Sequence, residues 1–198
     1  MNTRQDSEAT EGPPTLPPRD RRRSPWRLRG EGPGDGVVGE IGAVNAGTER
    51  LLGMLARAWS EFRESYAGLP DEVLLEPGVV GGWSVKDLIV HVSVWEEEAL
   101  RHLPVIAAGG TPPRYATSGG IDAFNARILE ERRELPLRDA LDRLDQTHRR
   151  LVDLIRSAPA DQLRSGTRFR RRFRLDTYGH YLLHANDIRA WRARRAWR

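Results

Sequence analysis

Two histidines, His180 and His184, stand four residues apart near the C-terminal end of the chain. On a helix this spacing projects both imidazoles from one face about one turn apart, close enough to share a metal ion. The pattern is weak alone, because any two histidines four apart on a helix produce it. His91 strengthens it: three residues after Leu88 and four before Trp95, it falls on the inward stripe of its own helix. One alternative is that each inward imidazole is neutral, hydrogen-bonded and packed. Grouped together they leave several lone pairs to satisfy, at about 1–3 kcal/mol for each one missed, whereas a single divalent ion satisfies three at once. Three neutral imidazoles with water in the remaining position suit zinc, nickel or ferrous iron.

Other side chains attach to this group with different roles. Asp187, three residues after His184, is placed either to accept a hydrogen bond from a ligating imidazole and fix its tautomer or to pair with a surface arginine. His148, between Leu144 and Leu151, faces inward as a fourth ligand, a general base or a core residue. A core or substrate-side place is favoured, which makes His148 the candidate catalytic side chain outside the ligand set. His102, beside Arg101, reads as a cation interacting with a helix C-terminus.

Helices must position these groups. Leu51, Leu52, Leu55, Ala58, Trp59, Phe62 and Tyr66 follow three-and-four spacing from Thr48, and Gly68 with Pro70 ends that first helix. After Gly81, Gly82 and Trp83, the Ser84 hydroxyl with Asp87 three residues on approximates a capping box for a second helix. Its inner face is Leu88, Val92, Trp95, Ala99, Leu103 and Ile106, and Gly109, Gly110, Pro112 and Pro113 stop it. Ser118-Gly119-Gly120 leads to a short segment carrying Ile121, Phe124, Asn125 and Ile128 and ending near Arg133. Beyond Pro136, a third long helix is traced by Leu137, Leu141, Leu144, His148, Leu151, Val152 and Ile155, until Pro159. Gln162 to Arg174 reads as a basic connection, and Thr177 to Arg194 as the fourth helix, with Ile188 and Trp191 alongside the histidines. No segment sustains period-two alternation, so the fold class is all-α: a four-helix bundle with a short extra helix.

Residues 1–44 hold Pro13, Pro14, Pro17, Pro18, Pro25 and Pro33 among glycines and charges, without apolar periodicity, and read as a disordered tail ahead of a bundle over 45–198. Within the tail, Arg19, Arg21, Arg22, Arg23, Arg27 and Arg29 gather around Trp26. The net charge of +4 is ordinary for solubility, and Lys86 is the single lysine among the basic residues. Nucleic acid is not expected as a partner: no helix-turn-helix or finger pattern accompanies the arginines, and aromatics are not interleaved with them. The chain contains no cysteine, which removes disulfides, thiolate nucleophiles and Cys-type zinc fingers and permits a reducing compartment. No apolar run approaches the roughly 18 residues of a membrane span. A cytoplasmic protein is expected, without membrane partners, with a small molecule as substrate and a homodimer admitted.

Gly82-Trp83-Ser84-Val85-Lys86-Asp87-Leu88-Ile89-Val90-His91, followed by Trp95-Glu96, resembles the second-helix signature of the DinB-like superfamily of four-helix bundles. Thr177-Tyr178-Gly179-His180-Tyr181-Leu182-Leu183-His184, with Asp187-Ile188-Arg189, is similar to the last-helix H-x-x-x-H of that superfamily. The likeness spans residues 46–195, and Asn125 with Trp95-Glu96 is similar to the ClbS/DfsB branch. The resemblance implies a metal site of His91, His180 and His184, the three that spacing selects. It further implies chemistry of the kind seen in thiol-dependent transferases and isomerases that use mycothiol or bacillithiol, or in self-protection hydrolases. Any thiol must come from a low-molecular-weight cofactor, since the chain has none of its own. Three readings remain: a metal-dependent hydrolase or thiol transferase acting on a small electrophile, a bundle that binds a small molecule without turnover around a structural metal or none, and a nucleic-acid binder. Gly179, beside the first ligand of the last helix, is expected to loosen that helix's first turn by about 0.5–1 kcal/mol relative to alanine.

Overall fold

Leu51, Leu55, Ala58 and Phe62 recur at helical spacing, and in the computed structural model all four are buried along one face of α1 (Glu40–Tyr66). The structure describes residues 40–115 and 119–196; most of the segment expected to be a tail, including the basic stretch around Trp26, lies outside them. Six further helices follow: α2 (Asp71–Leu74), α3 (Val85–Ala107), α4 (Gly120–Glu131), α5 (Leu137–Ser157), α6 (Arg168–Asp176) and α7 (Tyr178–Ala196). Among the described residues there is no strand, only an isolated bridge between Val80 and Trp83 in the turn before α3.

The long helices α1, α3, α5 and α7 close a four-membered ring. α1 packs chiefly on α7 and α3 on α5, with α1–α5 and α3–α7 contacts completing it. Phe62, Leu88, Leu103, Leu144, Leu151 and Ile188 meet inside it, each essentially excluded from solvent. Burial of each such side chain contributes about 1.5–3 kcal/mol.

α3 begins as its sequence requires. Asp87 N donates to Ser84 Oγ at 3.1 Å and Ser84 N donates to the Asp87 carboxylate at 2.8 Å, a reciprocal capping box that fixes the first turn leading to His91. Lys86 Nζ donates to the carbonyls of Arg133 and Leu135 at 2.7 and 3.1 Å, tying the α4–α5 junction to α3. α4 is preceded at its N-cap by Gly119, whose φ of 84° lies in the left-handed region open to glycine.

Three boundaries differ from the sequence expectation. α1 begins at Glu40 rather than Thr48, and the single turn α2 fills the stretch after Pro70. Most consequentially, the basic stretch before α7 is not a simple connection: residues 168–176 form α6. Thr167 caps it by accepting from Arg170 N at 3.1 Å. Phe169 and Phe173, four apart, are buried with relative exposures of 1% and 0%. Five arginines among nine residues obscure this pair in the sequence, yet the two rings dock α6 onto α3 and α7.

Candidate metal centre

His91 leaves α3 on the same stripe as Leu88 and Trp95, while His180 and His184 leave α7 one turn apart. Because α3 and α7 touch across the ring, the three imidazoles converge. His180 Nε2 lies 3.0 Å from His91 Nε2 and 2.9 Å from His184 Nε2. Two nitrogens each about 2.0–2.1 Å from a common ion, at angles between tetrahedral and octahedral, are separated by roughly 2.9–3.4 Å, so the observed spacing fits shared coordination. Protons alone suit this arrangement poorly: a neutral His180 carries at most one hydrogen on Nε2 and can bridge to only one neighbour. On the far side of His184, Nδ1 lies 3.0 Å from Asp187 Oδ2. A carboxylate there holds the proton on Nδ1 and leaves the Nε2 lone pair facing the other rings. His91 and His184 are buried and His180 is half-buried. The rings of Trp83 and Trp95 stand edge-on to His91, at centroid separations of 5.1 and 6.2 Å. Among the described residues, no other group of histidine and acidic side chains is drawn together in this way.

The triad opens onto a cavity of about 1120 Å³. Trp95, Tyr115, Ile121, Leu175 and Leu183 supply apolar and aromatic lining, and Arg114, Arg168, Arg171 and Arg172 supply cationic groups, with Asp122 and Asp176 as the acidic lining. Trp95 is oriented by its indole N–H, which donates to Asn125 Oδ1 at 3.2 Å. Arg172 is held by a part-buried network. It pairs with Asp176 four residues on and donates to the Tyr115 hydroxyl at 3.0 Å, which in turn donates to Glu98 at 2.5 Å. Burial pushes the Asp176 carboxyl up to about 7, against the pull of the Arg172 guanidinium.

His148 takes the core place among the roles its position allowed. Its ring stacks on Trp59, with centroids 3.7 Å apart and planes 3° from parallel, and its Nδ1 lies 2.9 Å from the buried Glu96 carboxylate. Glu96 also accepts from the Tyr181 hydroxyl, and desolvation raises its pKa. His148 does not line the cavity and is not among the converging nitrogens, so the structure supports neither its ligand nor its substrate-side reading. The reason is geometric: the inward face of α5 meets α1 and α3, whereas the cavity is bordered by α3, α4, α6 and α7.

His102 is a second correction. It is buried, 3.5 Å from Glu98, and its pKa is lowered by desolvation and by the neighbouring Arg172, so it does not serve as a cation at a helix end. Two cavity groups escaped the sequence reading. Tyr115 stands in an aperiodic stretch, and Asp176 falls between the expected connection, which ends at Arg174, and the expected fourth helix; an acidic residue four after Arg172 is the available signal for Asp176.

A search of the curated proteins finds no match. Solved structures share the fold at low identity. One is an uncharacterised protein from Escherichia coli UTI89, with TM-score 0.61 and 18% identity, covering 75% of this chain and 94% of that one. A second is the colibactin self-resistance protein ClbS in complex with a dsDNA, with TM-score 0.59 and 17% identity over 71% and 92%. A third is the sibling lethal factor precursor DfsB, with TM-score 0.62 and 13% identity over 75% and 96%. The DinB superfamily model matches residues 54–187, a span that runs from within α1 through His91, His180 and His184 to Asp187. With its ring of four helices and both blocks of the histidine signature inside that match, the chain belongs to the DinB superfamily.

Proposed function

We propose that the protein is a metal-dependent enzyme that delivers a nucleophile, water or a low-molecular-weight thiol such as mycothiol or bacillithiol, to a small electrophilic substrate in this cavity, as a detoxifying or self-protecting hydrolase or transferase of the cytoplasm. The observation that carries the reading is the convergence of the His91, His180 and His184 Nε2 atoms where the cavity begins. These imidazoles would hold zinc, nickel or ferrous iron, and such an ion, when bound, lowers the pKa of water or thiol so that the anion is available near neutral pH.

The chain's own residues do the rest. Asp187 fixes the tautomer of His184. Trp83 and Trp95 wall the imidazoles and limit solvent. Asn125 sets the Trp95 ring, and Arg172, held by Asp176, braces the wall formed by α6. Three protein ligands, with no fourth histidine or acidic group converging on the same point among the described residues, favour turnover over a purely structural site, which closes its shell with four.

Full-length protein should take up close to one zinc or nickel ion per chain, and His184→Ala should abolish uptake. A protein that refuses both metals overturns the reading. Hydrolysis and thiol transfer are then separated by running an electrophile panel with and without added thiol.

A second reading rests on one specific observation. ClbS was solved with a dsDNA, and in the present chain exposed arginines of α6 stand at the mouth of the cavity. Duplex binding that weakens steeply with salt would support it.

A further inference from the structure

Several exposed arginines elsewhere on the bundle end on carboxylates, among them Arg63 on Asp145, Arg143 on Glu97, Arg189 on Glu61 and Arg195 on Glu76. Arg168 and Arg171 do not. They sit three residues apart on α6, both exposed and both lining the cavity that holds the histidines. Arg168 Nη2 is 3.5 Å from the Thr111 hydroxyl, and Arg171 Nη1 donates to the Gly166 carbonyl at 2.6 Å. Neither has a carboxylate partner among the described residues. They also occupy the first turn of α6, which contains no acidic residue, so their charge adds to the positive end of the helix dipole instead of offsetting it. The same cavity, which Trp95 also lines, leaves two large apolar side chains in water, Leu175 at 66% and Ile121 at 52% relative exposure.

From this pairing of uncompensated cations with exposed apolar surface, we infer that the cavity takes a small organic anion. A carboxylate, sulfonate or phosphate group sits on Arg168 and Arg171, and an apolar body covers Leu175, Ile121 and Trp95. The inference deepens the proposed function, on whose assignment of the cavity as the substrate site it rests, by giving the substrate's charge and shape. A duplex would use the guanidinium groups but leave Leu175 and Ile121 uncovered within a concave site, which favours the small ligand.

The test is calorimetric titration of the full chain, metal-free and zinc-loaded, with 1-naphthyl phosphate, 1-naphthol, inorganic phosphate and a short DNA duplex. The expected result is binding of 1-naphthyl phosphate to the metal-free protein, more tightly than either 1-naphthol or inorganic phosphate. The Arg168→Gln/Arg171→Gln variant should lose roughly 10–100-fold in affinity, as loss of charge-assisted hydrogen bonds predicts, and the Arg168→Lys/Arg171→Lys variant should recover part of it. Equal affinity for 1-naphthol, no effect of the glutamine substitutions, or arginine-dependent binding of the duplex in place of 1-naphthyl phosphate would overturn the inference. Zinc uptake, read separately on the same samples, tests the metal reading: its failure leaves the metal-free anion titration interpretable, and failure of that titration leaves zinc uptake intact.

Discussion

Each imidazole of the triad presents one lone pair to a common point, and for His184 the choice of nitrogen is made by Asp187. Asp187→Asn keeps the shape and removes the charge, so metal affinity should fall about 10–100-fold with little change in folding. Competition with a chromophoric chelator measures this, and an unchanged constant would show that Asp187 only decorates the surface. Asp176 raises a different matter. Its folded pKa of about 7 exceeds the ordinary 3.8, so between these values the native state holds a proton that the unfolded chain has released. The stability contributed by that proton is therefore complete below about pH 4 and is lost as pH rises through 7. The difference in unfolding free energy, wild type minus Asp176→Asn, should fall across this window by at most about 1.4 kcal/mol per pH unit. Denaturant titrations at several pH values would read the slope, and a difference that stays flat across the window would mean that Arg172 keeps the carboxylate ionised throughout.

The junction between α6 and α7 explains a residue whose role sequence reasoning misjudged. Gly179 was expected merely to loosen a helical turn. A Cβ built there would lie 2.8 Å from the Arg174 carbonyl oxygen, a backbone atom that cannot swing aside. Glycine is thus what lets α7 start hard against the last turns of α6, with Thr177 at the bend donating from its hydroxyl to the Phe173 carbonyl at 2.6 Å. Gly179→Ala should destabilise the protein by about 1–3 kcal/mol, as overpacking does, even though alanine is the better helix former. It should also weaken metal binding by displacing the adjacent His180. Thermal melting and metal content check both, and a more stable alanine variant would refute the close approach. The ends of α3 were readable because Ser84 and Asp87 are local signals, whereas α6 was hidden: its evidence is only two phenylalanines at four-residue spacing inside a run of arginines, and tertiary burial decided the outcome.

In the whole molecule, periodicity told which residues face inward but not which neighbour each inward face meets. That is enough for the triad, because His91, His180 and His184 sit on two helices that touch. It is insufficient for His148, whose equally inward ring ends among Trp59, Glu96 and Tyr181. The cavity was beyond reach for the same reason, since its lining is drawn from α3, α4, α6 and α7 and from residues 112–115. The bend at Thr177 links two parts of that lining. On one side it bears Arg168 and Arg171, and on the other His180 and His184, so two ligand classes would pull on opposite arms of a single lever. Thermodynamic reciprocity then sets a strict condition: whatever factor an occupying ion imposes on the anion's dissociation constant, the anion must return to the ion's. Paired titrations, each run with the other component absent and then saturating, should yield one common coupling factor different from unity, and a factor of one would show that the two arms move independently.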